Sequence, residues 1–152
     1  MNRPILTSPL RTNPAPINQH MSLATLPLAT VIVEDNPALL ELLAGMLGCI
    51  DGIALQGTAA SEAEAISLIR ATRPRLAIVD LELREGTGLN VLRAIQSRPA
   101  DFGAPRTVVF SNHAHPIVRS RCLALGAEAF FDKSFQMDEL LEFVQGLANA
   151  SA

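Results

Sequence analysis

The sequence has 152 residues, 49% of them apolar, which suits one domain with a real core and leaves too little chain for a second folded output domain. A formal net charge of −3 gives no global attraction to nucleic acid, and with six Phe as the whole aromatic content a base-stacking surface is not expected. No apolar run reaches the length of a membrane span, and Cys49 and Cys122 lack the spacing of a zinc site or disulfide framework; both read as small buried hydrophobes in a reducing, cytoplasmic setting.

Residues 1–27 hold five of the ten prolines and no acidic residue, so they read as a disordered or extended tail. From Leu28 the pattern changes. Leu28–Val33 is a compact apolar run that stops at Glu34-Asp35. Asn36-Pro37 then opens a helix, with proline in the first turn where a missing N–H costs nothing. Leu39, Leu43, Met46, Leu47 and Ile50 recur on its inner face. Ile53–Gly57 is a second strand, and Ser61 with Glu64 makes a capping-box start for a helix reaching about Thr72.

Leu76–Val79 is the third run and ends at Asp80. The loop Arg84–Gly88 leads to a helix over Leu89–Ser97. Thr107–Phe110 is the fourth run, ending at Ser111. Pro116 lies near the start of a fourth helix that Gly126 closes. Glu128–Phe131 is the fifth strand, ending near Lys133, and Asp138–Leu147 is the last helix, with Leu140, Leu141, Val144 and Leu147 inward. Five strand–helix repeats predict an α/β fold, a doubly wound parallel sheet in the order 2-1-3-4-5 over 28–148, with 149–152 as a short tail. Continuous apolar strands agree with burial on both faces.

Glu34-Asp35, Asp80, Ser111 and Lys133 each follow the carboxyl end of a different apolar strand. In an open parallel sheet those ends line one crevice. Three carboxylates crowded there would repel one another, and a divalent cation relieves the conflict. All-oxygen donors with room for water suit Mg²⁺ better than Ca²⁺ or Zn²⁺. Such a metal can bridge a carboxylate to a phosphoryl oxygen, while a lysine and a serine hydroxyl serve the others and an Asp acts as nucleophile. Lys133 is the sole lysine against eleven arginines, which argues against a random solvated cation.

With Leu28–Asp35, Asp80, Ser111 and Ala124–Ser134 in this order, the chain resembles the receiver domain of two-component response regulators, of the stand-alone type like the chemotaxis regulator. The resemblance extends from Leu28 to about Ala148. It implies that Asp80 is the phosphoacceptor, that Asp35 binds Mg²⁺ directly and Glu34 through water, and that the Glu82 carbonyl adds a ligand. It also implies that Ser111 and Lys133 engage the phosphoryl group and that Phe130 is an aromatic switch; a plain core role for Phe130 is the competing reading.

Three positions depart from the family's pattern. Arg84 and Ser134 stand where proline is usual, which predicts a mobile loop after Asp80 and leaves open a cis peptide after Lys133. Asn112 stands where a small residue is usual and so borders the phosphoryl pocket. His113 and His115 read as solvated loop histidines, with a sharper alternative in which Glu82 and His113 flank the site and set how fast water attacks the phosphoaspartate. Arg119 and Arg121 read as a solvated polar face, with contact to an output partner as the alternative.

The resemblance implies a phospho-switch, not a turnover enzyme. Its phosphoryl source would be a sensor histidine kinase or a histidine phosphotransfer protein, and its output a downstream effector protein, with no nucleic acid or membrane partner. Homodimerisation through the last helices is left open. A phosphorylation-independent adaptor and a Mg²⁺-dependent phosphatase with an Asp nucleophile are the competing readings.

Overall fold

The computed structural model describes residues 26–150, so the tail expected over 1–27 lies, up to residue 25, outside the described residues, as do 151–152. Five strands and five helices alternate: β1 (Leu28–Val33), α1 (Pro37–Gly48), β2 (Ile53–Ala59), α2 (Glu62–Thr72), β3 (Leu76–Val79), α3 (Gly88–Ser97), β4 (Arg106–Ser111), α4 (Pro116–Ala124), β5 (Ala129–Asp132) and α5 (Met137–Ala150). All strand pairs are parallel, in the order β2-β1-β3-β4-β5. This is the doubly wound α/β sheet that the sequence predicts. α5 continues past Leu147 to Ala150, into the first two residues of the expected tail.

Side chains alternate across the sheet, so each central strand feeds two cores. Val31, Val33, Ala77, Val79, Val109 and Phe130 pack with residues of α2, α3 and α4. Ile32, Ile78, Val108, Phe110 and Phe131 pack with Leu43 and Leu47 of α1 and Leu140 and Val144 of α5. Every residue of β3 is buried, whereas edge strand β2 exposes Leu55 and Gln56. Leu43 and Leu47 form the inner stripe of α1, but Met46 is exposed.

Helix starts follow local chemistry. The Asn36 side chain accepts the N–H groups of Ala38 and Leu39 ahead of Pro37. Ser61 Oγ accepts the Glu64 N–H, while Glu64 reaches one residue further back than a capping box requires, to the Ala60 N–H. A 3₁₀ turn over Pro99–Phe102, absent from the sequence reading, buries Phe102, with Arg70 stacked on its ring at 5.1 Å. Cys122 is buried as expected; Cys49 is not, because it caps the solvent end of α1. Among the described residues no helix is long and apolar enough to cross a membrane.

Candidate functional site

Strand register brings the site together. Val33 pairs with Val79, so the next residues, Glu34 and Asp80, leave adjacent parallel strands at the same level. The Asp80 N–H donates to the Val33 carbonyl at 2.9 Å and fixes that exit. On the other side of β3, Ser111 ends β4 opposite Asp132 of β5, and the Lys133 N–H donates to the Ser111 carbonyl at 3.2 Å.

Carboxylate oxygens of Glu34, Asp35 and Asp80 lie within 4.8 Å of one another. Glu34 and Asp80 are buried and Asp35 is half-buried. The Lys133 ammonium sits between two of them, 2.6 Å from Glu34 Oε2 and 2.7 Å from Asp80 Oδ2. Glu34 Oε1 accepts the Asn36 N–H at 3.1 Å, and Asp80 Oδ1 accepts the Glu82 N–H at 3.3 Å.

One cation against three acids leaves negative charge in a poorly hydrated crevice. Burial holds the Glu34 carboxyl above its ordinary value, Asp80's charge adds to the effect, and the Lys133 hydrogen bond opposes it. Burial depresses Lys133, but its hydrogen bonds to Asp80 and Glu34 outweigh that and leave it raised, hence charged. The surplus negative charge and all-oxygen donor set fit a hard divalent cation, with Glu34, Asp35 and Asp80 as the residues that would hold it.

The surrounding residues are each fixed by a neighbour. Ser111 is fully buried, and its Oγ accepts the His113 N–H at 3.3 Å, so its own proton is available to donate. The His113 ring is not merely solvated: its Nε2 lies 2.6 Å from Glu82 Oε1, joining the β3–α3 and β4–α4 loops. His115 caps α4 by accepting the Ile117 N–H on Nδ1. Asn112 Oδ1 accepts the Ser134 hydroxyl at 3.3 Å. No cis peptide occurs among the described residues.

Phe130 is buried in the core, and the Arg119 guanidinium covers its ring at 4.8 Å. Arg119 is therefore more than a solvated charge on α4.

Some supports carry no local sequence signal. Glu62, in the first turn of α2, accepts the Thr87 N–H at 3.0 Å and the Asn90 side-chain amide at 3.3 Å, while the Glu62 N–H donates to the Glu85 carbonyl. The loop after Asp80, expected to be mobile without a proline at Arg84, is thus braced by α2, and Arg84 itself reaches Glu64 at 3.7 Å. Gly88 opens α3 against Asp80, and a Cβ there would collide with the Asp80 carbonyl oxygen.

The family model for the response regulator receiver domain matches residues 30–145. Among curated proteins, the acid tolerance regulatory protein ActR of Rhizobium meliloti is 32% identical over 111 residues, covering 73% of this chain and 55% of that one. The DNA-binding transcriptional activator DevR/DosR of Mycobacterium tuberculosis is 26% identical over 114 residues, covering 75% and 51%. The chain spans about half the length of these two relatives. Of solved structures, the phosphorylated cyanobacterial phytochrome response regulator RcpA superposes with a TM-score of 0.67 at 26% identity, covering 80% of this chain and 91% of that one. A CheY-like receiver domain protein from Methanospirillum hungatei gives 0.69 at 23% identity, covering 83% and 96%, and shares the fold.

Proposed function

Because the chain belongs to the response regulator receiver domain family, we propose that it works as a phospho-switch that accepts a phosphoryl group on Asp80 in a Mg²⁺-dependent reaction. The observation that carries this reading is the Lys133 ammonium held between Glu34 and Asp80 beside a third carboxylate, Asp35. A fold gains nothing by crowding three acids, two of them buried, beside one lysine, and a charge-neutralising ligand gives the arrangement a purpose.

In the proposed transfer, an Asp80 carboxylate oxygen bonds to the phosphorus of a phosphohistidine as the phosphorus–nitrogen bond breaks. The imidazole leaves with the electron pair and gains a proton from solvent. A cation held by Glu34, Asp35, Asp80 and the Glu82 carbonyl would screen charge between the carboxylate and the phosphoryl oxygens. Lys133 supplies a fixed positive charge to one phosphoryl oxygen, and the Ser111 hydroxyl donates to another. Movement of Ser111 toward the phosphoryl group would be sensed by Phe130 and its cover, Arg119, on the α4–β5–α5 face that an effector reads.

The donor would be a sensor histidine kinase or phosphotransfer protein, acting on a receiver unit over 28–148 in the cytoplasm. The test is modification of the protein by beryllofluoride or a small acyl phosphate with Mg²⁺, followed by mass, with Asp80→Asn as control. An adduct that needs Mg²⁺ and is lost in Asp80→Asn supports the reading. Absence of any adduct together with no response to Mg²⁺ overturns it in favour of a phosphorylation-independent adaptor.

A further inference from the structure

Asn112 and Ser134 are two positions where this chain departs from the family's pattern, and they are the two ends of one hydrogen bond. The Ser134 hydroxyl donates to Asn112 Oδ1 at 3.3 Å. Neither of the usual residues could make this contact, since a small apolar residue lacks the carboxamide and proline lacks the hydroxyl. Asn112 directly follows Ser111, and Ser134 directly follows Lys133. The bond therefore links the residues just outside the two proposed phosphoryl-binding groups, across the ends of neighbouring strands β4 and β5.

Both ends are anchored. The Ser134 N–H, which proline would not possess, donates to Asp132 Oδ1 at 2.8 Å. The Asp132 N–H donates in turn to Gln136 Oε1, and its carbonyl accepts the N–H groups of Phe135 and Gln136. On the other side, the Asn112 carbonyl accepts the Ala114 N–H at 3.0 Å, and His113 is tied to Glu82. Asn112 and Ser134 are exposed, while Ser111, next to Asn112, and Asp80, bonded to the Lys133 that precedes Ser134, are buried. This bond thus joins two solvent-facing residues at the outer edge of a buried polar site.

From this we infer that Asn112 and Ser134 form a latch over the phosphoryl pocket that slows entry of water and of small phosphodonors to Asp80; the inference rests on the phospho-switch reading. Two steps pass the latch. In labelling, an Asp80 oxygen bonds to phosphorus as the donor's carboxylate leaves with the electron pair. In hydrolysis, a water oxygen bonds to phosphorus, the bond to Asp80 breaks with its electron pair returning to the carboxylate, and a water proton passes to solvent. A protein phosphohistidine docking on these loops can displace a solvent-exposed hydrogen bond, so the latch favours a protein donor over a small one.

The experiment uses the full chain with Mg²⁺ and a small acyl phosphate, and reads the rate of Asp80 labelling and the rate of label loss after donor removal. Asn112→Ala, Ser134→Ala, the double variant and Ser134→Thr are compared with wild type. Each alanine variant is expected to raise both rates about three- to tenfold, the range one net hydrogen bond supports. The double variant should do no more than either single, and Ser134→Thr, which keeps the hydroxyl, should behave as wild type. Additive effects, an effect from Asn112→Ala alone, or a Ser134→Thr that matches Ser134→Ala each overturn the latch. Labelled wild type with unchanged variants removes the latch only, whereas no label on wild type removes the phospho-switch reading with it.

Discussion

Gly88 packs so closely on Asp80 that a Cβ at position 88 would occupy the space of the Asp80 carbonyl oxygen. The first turn of α3 is thereby pressed onto the end of β3, with the Gly88 N–H donating to the Leu81 carbonyl at 3.0 Å. The Gly88→Ala variant should lose about 1–3 kcal/mol of stability, because backbone and not a flexible side chain must move. Urea unfolding measures that loss. Asp80 labelling of the folded variant should also slow, since the displaced backbone carries the proposed acceptor; labelling at the wild-type rate would show that α3 does not position Asp80.

Glu34 gives a stability prediction with opposite signs in two conditions. Its carboxyl is held high by burial, and Asp80's charge also pushes it up. Without divalent metal, Glu34→Gln should stabilise the protein by about 1 kcal/mol, as Lys133 retains Asp80 as a partner. In millimolar Mg²⁺ the order should reverse, because the wild type alone offers the full set of ligands proposed for the metal. Thermal melts in chelator and in Mg²⁺ check both halves, and a variant less stable in both would place Glu34 as a structural partner of Lys133.

The Glu82–His113 contact spans two loops at the edge of the site, with both side chains more than half exposed. Replacing both by alanine should change the lifetime of the phosphorylated form severalfold and leave Mg²⁺ affinity within about twofold, because the Glu82 group proposed for the metal is its backbone carbonyl. Label decay and Mg²⁺ titration separate the two effects. Equal lifetimes in wild type and double variant would remove these side chains from control of hydrolysis.

Cys122 supplies a pH dependence away from the site. Burial raises its thiol above the ordinary 9.0. The folded protein therefore keeps the proton after the unfolded chain has lost it, so this contribution to stability is full below about pH 9 and declines as pH rises through the folded-state value. Cys122→Ala should flatten the alkaline fall relative to wild type, although the cavity lowers its stability at neutral pH. In native protein at pH 8, iodoacetamide should modify exposed Cys49 and spare Cys122.

Strand positions and the crevice were readable because both rest on local patterns: an apolar run marks a buried strand, and the polar residue after it marks the strand's end. That logic places Glu34, Asp35, Asp80, Ser111 and Lys133 at the carboxyl end of the sheet without knowledge of any loop. It fails where a contact depends on how two loops fold against each other. Glu62 reads as an ordinary acid in a helix's first turn, yet it holds the β3–α3 loop. Asn112 and Ser134 each read as an isolated departure, and 22 positions separate the two ends of their hydrogen bond. Cys49 misled because an apolar neighbourhood in sequence does not say whether a residue lies on the core side of a helix end.

Lys133, the sequence's one lysine, is also its one side-chain amine, and it touches two of the clustered carboxylates. Isotope-labelled lysine would therefore give a spectrum whose single side-chain ammonium resonance comes from the site itself. A cation bound at the cluster, modification of Asp80 or loss of either carboxylate partner would each register on that resonance without any engineered probe. The residue that offsets part of the charge of the crevice thus doubles as a built-in reporter of its state.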